Sequence, residues 1–298
     1  VDPSGAVTVL AGVTSQGQGT ETTVAQIVAA ELGVPFDAVS VVIGDTDATP
    51  FGLGAFASRQ AVIGGGAVMR AAGAVRDKTV RIAAHLLEAA PEDLETRDGR
   101  VAVRGAPGRA VTFAEVARVA NLETHRLPPD TEPGLEATRF YDPIRGTFAA
   151  GAQAAVVEVD VETGALTIHR YVCVEDTGRV INPIIVEGQV QGAIAQGIGG
   201  ALHEHLLYDD AGQLLTGTFM EYALPVAATV PAPELHHVEE PADNLLRVRG
   251  VGEGGTLGPA AVIAGAVADA LAPLGIEPND LPLAPARVWS LLEGRAGP

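Results

Sequence analysis

The sequence predicts a mixed fold, α/β or α+β, in two halves, and three observations carry that reading. Segments of strand periodicity alternate with segments of helical periodicity along the whole chain. Its 298 residues are 47% hydrophobic, enough to bury a sizeable core and to divide into two domains or subdomains. Glycine is well above its usual share of about 7%, and it clusters at 17–19, 52–54, 64–66, 197–200 and 250–255, each time beside a helix-like segment. Glycine loops that meet helix starts point to one large anionic ligand held from several sides.

In chain order, "GAVTVLAG" and "DAVSVVIGD" alternate as strands, and 20–32 between them reads as a helix with Thr20 as its cap. A long helix is expected over 59–90. There Val68, Ala72, Val75, Thr79, Ile82 and Leu86 share one face, and Arg70, Asp77, Lys78 and Arg81 lie off it. "RDGRVAVRG" reads as a hairpin arm and "TFAEVARVA" as a short helix. Residues 121–146 are rich in Pro and Glu, have no period, and read as a surface connector. Two strands follow around a turn at Thr163 and Gly164, then a glycine-rich helix in "VEGQVQGAIAQGIGGALHEHL". A strand is expected at "LLRVRG", and helices at 259–272 and 285–294. "GQGTETTVAQIVAAEL" and "GQVQGAIAQGIGGAL" echo each other, and the echo places a glutamine amide at a helix start in each half.

Composition excludes several classes. With a net charge of −18 and no basic stripe, the chain is not expected to bind nucleic acid or an anionic membrane. No apolar run reads as a membrane span. Cys173 is the single cysteine, so an internal disulfide or a four-thiolate cluster cannot be built by this chain alone. The start, "VDPSGAVTVL", has no signal-peptide pattern and reads as the edge of a strand, which leads us to expect a fragment or one piece of a split subunit.

The stretch "RGVGEGGTLGPAAVIAGAVADAL" places Glu253 among glycines just before a helix. Gly250, Gly252 and Gly255 match the dinucleotide fingerprint, which opens a nicotinamide-dehydrogenase reading. A carboxylate in a pyrophosphate loop opposes it, and no second strand with a terminal acid follows. A Glu near a helix start is more often a solvated cap partner than a catalytic group. Arg59 and Arg179 could contact phosphate or form surface ion pairs, and Gln18 and Gln189 could serve only as helix caps. His203 and His205 diverge on a helix and His236 and His237 on a strand, so neither pair reads as a metal site.

Four motifs stand in order: "TSQGQGTETTVAQI" (14–27), "TPFGLGAFASRQAVIGGGAV" (49–68), "DTGRVINPIIVEGQVQGAIAQGIG" (176–199) and "GVGEGGTLGPAAVIAGAVADAL" (250–271). Together they resemble the C-terminal part of the molybdenum-binding large subunit of the xanthine dehydrogenase/aldehyde oxidase superfamily, in its carbon monoxide dehydrogenase-like branch. The likeness covers nearly the whole chain. It implies two intertwined α/β subdomains of the molybdenum cofactor-binding region, 1–145 and 146–298, the second carrying the glutamate loop.

The resemblance also implies roles. Glu253 matches the active-site glutamate beside molybdenum, which acts as a base. Gln18 and Gly19, the run Ala55, Phe56, Ser58, Arg59 and Gln60, and Gln189 match segments that hold the pterin and its dinucleotide extension. Asp176, Thr177 and Asn182 match a loop near the nucleotide end, and Gly252 lets the glutamate loop press against the cofactor. The implied cofactor is molybdenum–molybdopterin cytosine dinucleotide, with 2Fe-2S clusters and FAD on partner subunits. The implied partners are the N-terminal remainder of the molybdenum subunit, an iron–sulfur small subunit, an FAD medium subunit and a small-molecule substrate, in the cytoplasm. Thr177 stands where the family often has cysteine, and Gln60 where it often has Ser or Thr, which touches local contacts more than the class. The family subunit is much longer, and its N-terminal half carries much of the substrate pocket. The rival readings are the nicotinamide-dependent dehydrogenase on 250–255 and a non-catalytic cofactor carrier or assembly module.

Overall fold

The structure is a computed structural model that describes residues 1–49 and 51–294. It divides into two compact units, one of Val1–Thr147 with Pro241–Arg249, the other of Phe148–Glu240 with the chain from Gly250 onward.

In the first unit, strands β1 (Val7–Leu10) and β2 (Val39–Val42) pair in parallel through the helix α1 (Thr20–Leu32). Helix α2 (Gln60–Leu87) is 28 residues long, about 42 Å at 1.5 Å per residue. The expected stripe along it is buried at Val68, Ala72, Val75, Thr79 and Ile82. Gly65 lets α2 approach its neighbours, because a Cβ there would lie 2.7 Å from Leu246 Cδ1 and 3.3 Å from Ile27 Cδ1. An antiparallel sheet of β3 (Leu94–Arg97), β4 (Arg100–Val103) and β5 (Ala106–Thr112) follows. Its first hairpin turns through Asp98 and Gly99, both at positive φ as a type I′ turn requires. Helix α3 (Phe113–Asn121) is capped by the Thr112 side chain, which accepts from the Glu115 amide. Ile82, Val101, Val116 and Val119 form the core there.

In the second unit, β6 (Ala150–Val159) and β7 (Leu166–Asp176) form a long antiparallel hairpin, and β8 (Glu234–Val238) adds to β7 in parallel. A bulge between Val156 and Val157 shifts the register opposite His169 and Arg170. It flips the alternation, so beyond it Tyr171, Cys173 and Glu175 are the buried positions of β7. Helix α4 (Pro183–Leu202) covers that face together with α6 (Pro259–Leu271), which follows the single turn α5 (Gly254–Leu257). Helix α7 (Pro285–Leu292) adds Val288 to the same core. The class is α+β, with three small separate sheets among the described residues.

Four expectations need correction. No strand forms at 245–250, where Arg247 sits at positive φ; the third strand of the sheet is β8 instead, whose short "ELHHV" run lies between prolines. Thr20 is the first helical residue, not the cap, because left-handed Gly19 occupies the cap position. The echo of glutamines at helix starts fails in the second half, because Pro183 starts α4 earlier and leaves Gln189 inside the helix. Finally, Gly254–Leu274 is apolar and long enough to cross a membrane by length and composition. Ile263, Val267 and Leu271 of that stretch are buried in the core of the second unit, although only 22% of its most apolar window is buried.

Ile194 of α4 and Ile263 of α6 are both fully buried in this core. Ile194→Ala should therefore cost about 2–5 kcal/mol, read as a lower urea midpoint at unchanged slope. A loss well under 1 kcal/mol, the scale of a surface change, would show that α4 is not a core element.

Candidate active site

In the first unit, two of the four motifs meet. Gln18 Nε2 donates to Gln60 Oε1 at 2.8 Å, and the Thr20 hydroxyl donates to the same oxygen at 3.1 Å. Both glutamine amides also donate to the Thr14 carbonyl, Gln60 at 2.6 Å and Gln18 at 3.3 Å. Gln18 is the residue before Gly19, the cap position of α1, and Gln60 is the first residue of α2. The knot therefore ties together two helix N-termini, and neither has a side-chain cap. Their amide groups and positive dipole ends converge where an anion would be favoured.

The run before α2 reinforces this. Ala57 and Ser58 are both left-handed, with φ near 50°, a conformation costly for residues with a Cβ. Consecutive amides in such a turn can form a concave anion nest. The Arg59 guanidinium lies 4.5 Å from the centre of the Phe56 ring, a cation–π contact that holds it beside the helix start. Ala55, Ser58 and Arg59 are half-buried, and Phe56 is exposed. Arg59 and Gln60 also line an open cleft of about 1010 Å3 with β1, Phe51–Gly54 and 135–141.

In the second unit, Glu253 is exposed at the cap position of α5, and Gly252 beside it is exposed as well. The loop behind it is seated by close backbone approach. A Cβ on Gly255 would lie 2.7 Å from the Val190 carbonyl oxygen and 2.9 Å from Ala193 Cβ of α4. A Cβ on Gly254 would lie 2.8 Å from Glu175 Oε1. Gln153 of β6 reaches the same loop, its amide donating to the carbonyls of Gly254 and Gly255 at 3.4 and 3.3 Å. Tyr171 of β7 donates to Gln153 Oε1 at 2.5 Å and fixes that amide's orientation. Burial raises the Tyr171 phenol well above its usual pKa, so it stays a donor.

The other residues singled out in this half lie at the end of β7 and along α4. Asp176 accepts from the Gly178 amide at 2.9 Å and the Glu240 amide at 3.2 Å. Thr177 is buried, and its Oγ1 has no hydrogen-bond partner. Asn182 caps α4 by accepting from the Ile185 amide at 3.3 Å. Gln189 is half-buried two turns further on.

Sequence reading missed Gln153, Tyr171 and Glu175. A signal existed for Glu175: alternation in "YVCVED" places it on one face with Tyr171 and Cys173. Burial raises the Glu175 carboxyl above its usual range, partly offset by the Cys173 thiol, whose own pKa is pushed up to about 12. The fingerprint reading of 250–255 loses its context, because β8 ends at Val238 and no strand leads into Gly250.

In the first unit, paired uncapped helix starts and a left-handed turn favour an anionic ligand; the second unit carries an exposed glutamate on a glycine-seated loop. Over residues 1–231 the sequence matches the molybdopterin cofactor-binding domain, and the chain belongs to that family. It is 42% identical over 295 residues to the nicotine 6-hydroxylase large subunit of Paenarthrobacter nicotinovorans, covering 99% of this chain and 36% of that subunit. It is 37% identical over 294 residues to the carbon monoxide dehydrogenase large chain of Hydrogenophaga pseudoflava, covering 98% of this chain and 36% of the relative. Among solved structures, quinoline 2-oxidoreductase from Pseudomonas putida 86 superposes with a TM-score of 0.92 at 44% identity, over 99% of this chain and 38% of that one. The chain thus spans little more than a third of the length of the relatives it matches.

Because the Gly255 position has no room for a methyl group, Gly255→Ala should lower stability by about 1–3 kcal/mol. The check is a thermal melt beside Gly265→Ala, where nothing lies within 4 Å of the added Cβ. Equal melting temperatures for the two variants would show that the loop is not seated as described.

Proposed function

We propose that this chain is the part of a molybdenum hydroxylase large subunit that holds the cofactor and supplies its base, Glu253. The observation that carries the reading is the bond between Gln18 and Gln60, which joins two uncapped helix starts into one polar, anion-favouring site. That site fits the phosphates and the hydrogen-bonding pterin edge of molybdopterin cytosine dinucleotide. When bound, the cofactor supplies a two-electron redox centre for hydroxylating a substrate carbon with oxygen from water.

The chain's own residues do the rest. The amides of Gly19 and of the run 55–60, with Gln18, Gln60 and Arg59, hold the pterin and its phosphates. Asp176, Asn182 and Gln189 line the dinucleotide, and Thr177, buried beneath them, supports the turn between Asp176 and Asn182. Gly252 brings the loop close. The Glu253 carboxylate accepts the proton released as oxygen is added. The two units serve as two cofactor-binding subdomains, close to the expected 1–145 and 146–298 except that 241–249 joins the first.

A single cysteine cannot ligate an iron–sulfur cluster, so electrons leave through 2Fe-2S clusters on a small subunit and FAD on a medium subunit. Leu10, Phe51, Leu53, Phe140 and Ile144 are exposed, and such apolar surface fits cover by the remainder of the molybdenum subunit. The complex works in the cytoplasm. Among aldehydes, N-heterocycles and small C1 compounds, N-heterocycles are favoured, because the nicotine and quinoline proteins are 42% and 44% identical against 37% for the carbon monoxide enzyme.

The purified complex should contain molybdenum and release cytidine monophosphate on acid hydrolysis. A bound nicotinamide dinucleotide without molybdenum would overturn the reading. Glu253→Gln should keep molybdenum content but lose about 10²–10⁴-fold in turnover per molybdenum, the range for a general base. Unchanged turnover would leave Glu253 a helix cap and the chain a cofactor carrier.

A further inference from the structure

Glu175 has no part in the function described above, yet it is 3% exposed in the heart of the second unit. Its cross-strand neighbours are Gly151 on β6 and His237 on β8. Gly151 leaves it room, because a Cβ there would lie 3.3 Å from Glu175 Cγ. Its carboxyl ends against the glutamate loop. A Cβ on Gly254 would lie 2.8, 3.1 and 3.2 Å from Oε1, Cδ and Oε2, so the carboxyl occupies the space that a side chain at Gly254 would need. Gly254 is the residue that follows Glu253.

The surroundings offer little to a negative charge. Glu175 Oε2 has no hydrogen-bond partner, and neither ring nitrogen of His237 has one. On its own strand the Cys173 thiol faces it, and the Tyr171 hydroxyl is committed to Gln153. From α4 the buried residues are apolar, Val186 and Val190 among them, and from β6 comes the neutral amide of Gln153. No salt bridge reaches Glu175 among the described residues. A buried, unpaired carboxylate is costly, whereas the protonated acid is a neutral group of the same shape.

We propose that Glu175 is a positioning residue: a neutral, buried carboxylic acid whose carboxyl packs behind Gly254 and fixes the backbone from which Glu253 projects. Its effect on turnover rests on the proposed role of Glu253; its protonation state does not. Burial holds the carboxyl above the usual range. The folded chain therefore keeps a proton that the unfolded chain gives up near its ordinary value, about 4.3. Stability from this group is fully present below that value and is lost as pH rises through the raised one. The ionised form would place a charge against Gly254, one residue from Glu253.

The test uses the assembled enzyme with Glu175→Gln and Glu175→Ala, reading melting temperature from acid to alkaline pH, molybdenum content and turnover per molybdenum. Glu175→Ala should lower kcat by about 10²-fold, the scale of a displaced catalytic group, at normal molybdenum content. Glu175→Gln, uncharged and of equal size, should restore most of that loss, and its melting temperature should fall less steeply than wild type as pH rises. If Glu175→Gln is as slow as Glu175→Ala at neutral pH, or if its melting curve against pH runs parallel to wild type, the proposal fails. Should Glu175→Ala not fold, the pH dependence of Glu175→Gln decides alone. Glu253→Gln, assayed alongside, separates the two ideas: if it keeps full turnover the function reading falls, while the melting comparison still judges Glu175.

Discussion

The arrangement of the second unit depends on one close approach. At Gly254 and Gly255 the chain runs so near to β7 and α4 that no side chain fits between them. Packing of this density resists small displacements, because neighbouring atoms have nowhere to go. The loop gains further restraint from the Gln153 amide, itself aimed by the Tyr171 hydroxyl. Glu253 is thus an exposed side chain on a backbone held from behind, which is the condition for a catalytic group to keep its geometry without being buried.

The first unit solves a complementary problem. Helix starts normally satisfy their free amides with a side-chain cap. Thr112 does this for α3 and Asn182 for α4, so the chain uses ordinary caps elsewhere. Neither α1 nor α2 has one, and the two are tied side by side through Gln18 and Gln60. Left-handed Ala57 and Ser58 add strain at the same place. Helix starts without side-chain caps and left-handed backbone gathered at one point are features that favour an anion there.

Much of this was legible in the sequence, and the reasons differ by element. The α2 stripe and the helix α6 were readable because period and length agree over many residues. The short helix α3 was readable from its amphipathic run, although its Thr112 cap was not singled out. The strand β8 was not readable, because five residues between prolines give too little alternation, and "LLRVRG" imitated it with a better apolar count. Of the candidate site, Gln18, Gln60 and Glu253 were singled out through the resemblance that the four ordered motifs carry; from local pattern alone Gln18 and Glu253 read equally as helix caps. The joining of Gln18 to Gln60 is a contact across 42 residues that no local pattern encodes. Gln153 and Glu175 escaped notice because a polar residue in a strand is usually solvated, and only the bulge at Val156 and Val157 decides which face turns inward.

The central proposal is that Glu253 is the base of a molybdenum-dependent hydroxylation. An anomalous difference map at the molybdenum edge, from crystals of the assembled enzyme, tests it most directly. The account predicts one strong peak beside the Glu253 carboxylate. A peak remote from Glu253, or a nicotinamide dinucleotide lying on 250–255, would contradict it.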